Sequence, residues 1–245
     1  SDREKYEKFY GAFGTQLKYG VLNDYGAKKE LLQDLLLYWS AKENKLVSLK
    51  EYAEAMPEGQ KYIYYASAES RERAYQLPQI ETLGAKGFDV LLMSDEVDGF
   101  VPQTLQKYGE KEFRSVTQDD LGIQTDEEKT EQAKTTLDFV KETLGERVKE
   151  VKLATTLGSH PVCVVPGEGM TFEMEKYFKR VSPEMAMKAD KILELNAEHP
   201  MFAKLQLAVA QEPEKAKKIV EVLYAQALLM ADLPIEDASS YCDLV

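Results

Sequence analysis

Three carboxylates, Asp95, Glu96 and Asp98, follow the apolar run FDVLLMS at 88–94. If that run is a strand of a parallel sheet, they stand at its carboxyl end, where open sheets place ligands. Binding magnesium or accepting a phosphoryl group is the chemistry open to Asp95 and Asp98; capping the next helix is the plainer use of the same acids. The two histidines, His160 and His199, each precede a proline and have no nucleophile or second ligand beside them. Neither builds a zinc site or a triad, and both read as loop residues. Cys163 and Cys242 lack metal-type spacing and read as reduced thiols. Gly167-Glu168-Gly169 lies between a strand-like and a helix-like run, as a dinucleotide loop would. Phe172 fills the third glycine position, however, and its bulk opposes the close helix–strand packing that the fingerprint serves. No phosphate loop of the glycine-lysine-serine/threonine type occurs, so neither a catalytic residue nor a metal site is expected beyond the Asp95/Asp98 alternative.

The elements that position these residues are mixed α and β. Residues 3–40 read as helical, because Tyr6, Phe9, Tyr10 and Phe13, then Leu31, Leu32, Leu35, Leu36 and Trp39, recur at three- and four-residue steps. Ser48 with Glu51 has the form of a capping box opening a short helix. The runs 60–67, 88–94 and 112–117 read as strands separated by helical segments, which implies a small parallel sheet with helices on its faces. Pro78 and Gly84 restrict the first crossover helix to short pieces. The acidic stretch around 119–130 reads as a hinge between two units, 1–118 and 131–245. Beyond it, Ala133, Leu137, Val140 and Leu144 step along a helix ending at Gly145, and 148–155 and 161–166 read as strands.

Composition narrows the class of function. With 43 acidic against 31 basic residues, the net charge of −12 repels a phosphate backbone, so nucleic acid is not an expected partner. No apolar run approaches the ~20 residues that cross a bilayer, and the first residues lack signal-peptide order, so a cytoplasmic protein with no membrane partner is expected. The abrupt start and stop suggest a piece of a longer chain.

Two helices carry more apolar surface than one partner needs. In the segment 170–181, Met170, Met174, Tyr177, Phe178 and Val181 share a face while Phe172 points away. This is either a core-packing helix or an adaptable surface for other proteins, for which methionine and aromatic side chains are suited. In the segment 213–230, Ala216, Ile219, Val220, Leu223, Tyr224, Ala227 and Leu228 form one stripe, and Val222, Ala225 and Leu229 a second. The second stripe packs either inside its own domain or on the same helix of another copy across a two-fold axis.

The blocks YEKFYGAFGTQLKYGVLND (6–24), SLKEYAEAMPEGQKYIYYASAES (48–70), KGFDVLLMSDEVDGF (86–100), LGERVKEVKLATTL (144–157), KILELNAEHPMF (191–202) and VEVLYAQALLMADLPIED (220–237) are collinear across the whole chain. Together they resemble the 90-kDa heat-shock chaperones of the bacterial, HtpG type. The resemblance implies the later middle domain at 1–118, a helical segment followed by a three-layer α/β/α unit from about residue 60. It implies a mixed α/β C-terminal dimerisation domain at 131–245, ending in a helical bundle. The family's ATP-binding domain would lie upstream, so the fragment itself is expected to be no enzyme and to hold no cofactor, ATP and magnesium belonging to the parent. Implied partners are non-native client proteins, bacterial co-chaperones and a second copy of the chain. By position the resemblance implies client contacts at Phe100, Gln103, Met170, Tyr177 and Phe178; the helix reading adds Phe172 and Met174. The dimer seam is expected at Val222, Leu223, Ala225, Leu228 and Leu229. Gly99 and Phe100 replace an acidic residue and tryptophan of the better-known bacterial form, and Ala238 replaces a usual proline.

Overall fold

A computed structural model describes residues 2–118, 121, 127–185, 187–235 and 237–244. The chain divides into two compact units, one of residues 1–121 with 171–187 and one of residues 122–170 with 188–245. Most of the expected hinge at 119–130 lies outside the described residues; from Glu127 onward the chain is helical.

The first unit opens with helix α1 (Asp2–Leu22), which buries Tyr10, Gly14, Lys18 and Val21 along one side. After α2 (Lys29–Leu32), the chain enters strand β1 (Leu37–Ser40) rather than prolonging a helix. A short apolar run satisfies either period, and here pairing decides: Trp39 lies opposite Leu92 and Leu46 in antiparallel register. Strand β2 (Leu46–Ser48) leads into α3 (Leu49–Ala55) through the expected capping box. Glu51 N–H donates to Ser48 Oγ at 3.2 Å, and Ser48 N–H donates to the Glu51 carboxylate at 2.7 Å.

Strand β3 (Ile63–Ser67), helices α4 (Arg71–Tyr75) and α5 (Pro78–Ala85), and strand β4 (Val90–Met93) then form a crossover whose helix is in two short pieces, as expected, Pro78 opening the second. Helix α6 (Val101–Leu105) and strands β5 (Lys107–Tyr108) and β6 (Lys111–Ser115) complete a six-stranded sheet of order β2-β1-β4-β3-β6-β5. Its central strands β4, β3 and β6 run parallel, as the sequence implies, while β1, β2 and β5 join antiparallel.

Alternate residues fill the two faces. Tyr38, Ile63, Tyr65, Leu91 and Met93 pack with Val21 of α1, Leu49 and Tyr52 of α3, and Val101 and Leu105 of α6. Tyr64, Ala66, Val90 and Leu92 are the intervening residues, and α4 packs on β3 and β4. The Tyr52 hydroxyl knits the layers: it donates to the Asp89 carbonyl and accepts from Gln60 Nε2 at 2.8 Å and from Tyr64 N–H at 3.2 Å.

The second unit begins with α7 (Glu127–Leu144), which stops where Gly145 takes φ +59°. Strands β7 (Glu150–Leu153) and β8 (Val162–Pro166) flank a central β9 (Lys191–Leu195), parallel to β7 and antiparallel to β8. Helices α9 (Pro200–Gln211), α10 (Pro213–Met230) and α11 (Ala238–Leu244) follow, and α10 packs on β8, α9 and α7. Arg147 clasps Glu221 of α10 through both carboxylate oxygens, which fixes that helix against the end of α7. Helix α8 (Phe172–Val181), capped by Thr171 accepting from Met174 N–H, belongs to the first unit.

Candidate functional site

The acids after β4 are not free to hold a metal. Lys18, on the buried side of α1, places its Nζ 2.8 Å from Asp95 Oδ2 and 2.7 Å from Asp98 Oδ1. Asp98 Oδ2 accepts from Asp95 N–H at 2.9 Å, so the acidic turn is closed on itself. Lys18 is 4% exposed and Asp98 1%, so the ammonium occupies the space a divalent ion would need. Among the described residues, no cluster of three or more His, Cys, Asp or Glu is arranged to hold a metal. The magnesium or phosphoacceptor alternative for Asp95 and Asp98 is therefore not favoured. His199 caps α9 by accepting from Met201 N–H, and His160 sits in a turn region. Cys163 is buried and Cys242 exposed, both as free thiols.

Burial pushes the Asp98 carboxyl up, and the Lys18 ammonium pulls it back. Burial also works against the charge on Lys18, but Asp98 and Asp95 outweigh it and hold that group above its ordinary value. Around the pair, burial raises the Tyr10 hydroxyl to about 12 and the Tyr38 hydroxyl well above 10.0. Groups raised on folding contribute stability in full below their unfolded pKa and lose it as pH rises. The first unit should accordingly weaken from about pH 10 upward, Tyr10 alone accounting for roughly 2 kcal/mol by pH 12. Chemical denaturation followed at pH 8, 10 and 11.5 measures this; equal midpoints at all three would contradict it.

A second constellation lies where β4 leads into α6. Phe100 meets Tyr177 and Phe178 of α8 edge-on, with ring centroids at 5.2 Å and 5.7 Å and interplanar angles of 71° and 89°. Tyr177 and Phe178 complete the triangle at 5.8 Å. Such T-shaped contacts set positive ring edges on negative faces. Gln103 Nε2 donates to Met174 Sδ at 3.2 Å. Gly99 allows the close approach, since a Cβ there would lie 3.3 Å from Met174 Cγ. Charged pairs flank the apolar contact: Lys176 bridges Glu69 and Glu173, and Arg180 meets Glu96 at 2.6 Å.

Five of the seven expected contact residues, Phe100, Gln103, Met174, Tyr177 and Phe178, thus converge although about 70 residues separate the two segments. Phe172 and Met174 are only 8% and 7% exposed, so packing holds most of their surface. Met170 precedes α8 and lies outside the helix.

The profile of the Hsp90 protein family matches residues 1–245. The chain belongs to the Hsp90 family. Among individual Hsp90 relatives, Chaperone protein HtpG of Clostridium acetobutylicum is 47% identical over 247 residues, covering 99% of this chain and 40% of the relative. Those of Bacillus licheniformis and Bacillus subtilis are 47% and 46% identical over 242 residues, each covering 96% of this chain and 39% of the relative. The chain therefore spans about two fifths of the length of these Hsp90 relatives.

On α10, Leu223, Ala225 and Leu228 are already buried within the single chain. Of the five expected seam residues, Leu229 is 50% exposed and Val222 half-buried. Among the described residues, no helix is long and apolar enough to cross a membrane. Sequence reading did not find Lys18 as the partner of the β4 acids. Its only signal is a lone cation in the apolar series Tyr10, Gly14, Lys18, Val21.

Proposed function

We propose that this chain is the later middle domain and C-terminal dimerisation domain of an Hsp90-type chaperone, a cytoplasmic protein that holds non-native polypeptides. The domains are assigned as 1–118 and 131–245, joined by the acidic hinge. The ATPase step, with its ATP and magnesium, belongs to a separate domain of the parent. Two copies joined through α10 would raise the effective concentration of their distant domains, so that nucleotide can close the clamp without a fresh encounter. Bacterial co-chaperones are the remaining partners of this reading.

The observation that carries the client assignment is the aromatic triangle of Phe100, Tyr177 and Phe178, drawn from two distant segments. Aromatic rings each offer a large apolar area, and Met174 beside them supplies a flexible thioether, which suits contact with varied sequences. The test is suppression of aggregation of a thermally unfolded model protein. Phe100→Ser and Met170→Ser should each weaken protection about threefold or more while leaving the melting curve within a few degrees of the parent. Full protection by both variants would remove these residues from the client surface.

A further inference from the structure

Helix α8 sits on the Phe100 surface in the manner of a bound ligand. It offers Met174, Tyr177 and Phe178 to Phe100 and Gln103, and its Lys176 and Arg180 to Glu69 and Glu96. Across this contact every base comes from α8, which also brings one acid, Glu173, to share Lys176 with Glu69. In the cleft of about 290 Å³ between them, the ends of β3 and β4 contribute Glu69, Asp95 and Glu96, whereas both bases come from α8. The cleft is lined by Ser67, Ser94 and Tyr177 as well, so the seat has room that α8 does not fill.

We propose that the surface of Glu69, Glu96, Phe100 and Gln103 is a docking site for basic amphipathic segments, those carrying aromatic or methionine side chains within one turn of lysine or arginine, and that α8 is its tethered resident. This deepens the client-holding reading and rests on it. Because the resident is part of the same chain, it competes at an effective concentration far above that of a free segment. Apparent affinity for an incoming segment is the intrinsic affinity multiplied by the fraction of molecules in which α8 has left its seat. Recognition by charge also rejects acidic segments, since like charges would be brought together at Glu69 and Glu96.

The probe is a fluorescein-labelled peptide of residues 170–182, MTFEMEKYFKRVS, added to the full 245-residue chain. Lys176→Glu with Arg180→Glu in the protein loosens the resident helix without touching the aromatic residues. The exchanges remove the surface ion pairs of Lys176 with Glu69 and Glu173 and of Arg180 with Glu96, so the peptide should bind about threefold to tenfold more tightly than to the parent. A peptide carrying the same two exchanges should bind at least tenfold more weakly, and Glu69→Lys with Glu96→Lys in the protein should reverse that preference. Closing the seat covalently is possible between Gly99→Cys and Thr171→Cys, because a Cβ on Gly99 lies 3.7 Å from Thr171 Oγ1. In a Cys242→Ser background, the oxidised form should lose peptide binding and regain it on reduction.

Equal binding of the native and charge-reversed peptides, or no gain in the loosened protein, overturns the docking site. If unfolded proteins are held but the peptide is not, the inference fails while the client-holding reading stands. If the peptide binds with the stated charge dependence but no unfolded protein is held, the reverse is true.

Discussion

Replacing Lys18 with methionine lowers the stability of the first unit by about 3–5 kcal/mol, the usual effect of stripping one partner from a buried ion pair. Asp98, only 1% exposed, then keeps a charge with no cation beside it. The expected signature is dependence on pH. With the ammonium gone, burial acts alone on the carboxyl and raises it further, so the variant recovers as the medium is acidified and Asp98 takes up a proton. Pairing Lys18→Met with Asp98→Asn should restore most of the loss at neutral pH, because the amide oxygen can still accept from Asp95 N–H. The single tryptophan, Trp39 in β1, makes urea denaturation by fluorescence a direct reading of this unit. A loss below about 1 kcal/mol, or none of the recovery in acid, would show that Lys18 does not hold the acidic turn.

Leu229→Asp should separate the proposed dimer while leaving each subunit folded. The residue is half exposed on α10, so its removal opens no cavity. In an isologous contact every substitution acts twice, and burying a leucine contributes about 1.5–3 kcal/mol, so the dissociation constant should rise at least a hundredfold. Sedimentation velocity across a wide concentration range measures it. Leu228→Asp is the contrasting variant: that side chain lies in the subunit's own core and its replacement should unfold the second unit instead. A parent chain that stays monomeric at high concentration, or a Leu229→Asp chain that associates like the parent, would remove α10 from the seam.

The readable parts of the fold are those governed by local chemistry. The Ser48–Glu51 box, the proline that keeps the crossover helices short, the glycine that ends α7 and the parallel runs at β3, β4 and β6 are each specified within a few residues. Strand β1 was hidden because Leu31 to Trp39 satisfies helical and extended periods alike, and its antiparallel partner β4 lies some 50 residues away. Strand β9 was not separated from its surroundings because Glu194 interrupts its apolar run; the structure buries that carboxylate beside Lys152 on the neighbouring strand. The candidate site divides in the same way. The apolar residues of α8 announce themselves by spacing, but the meeting of Tyr177 and Phe178 with Phe100, and that of Lys18 with Asp98, are tertiary events between residues about 80 positions apart. Of the proposed seam, the doubled stripe on α10 was legible, whereas the distinction between Ala225 inside and Leu229 outside required the packing of α7, α9 and β8.

The six-stranded sheet ends on β2, three residues long, and on β5, two residues long. Stubs of that size present too few unpaired amides for a stray extended polypeptide to zip onto. On the proposed client-holding role, the ends of this sheet offer an extended chain little to pair with, so that holding on this unit rests on side chains and release breaks no ladder here.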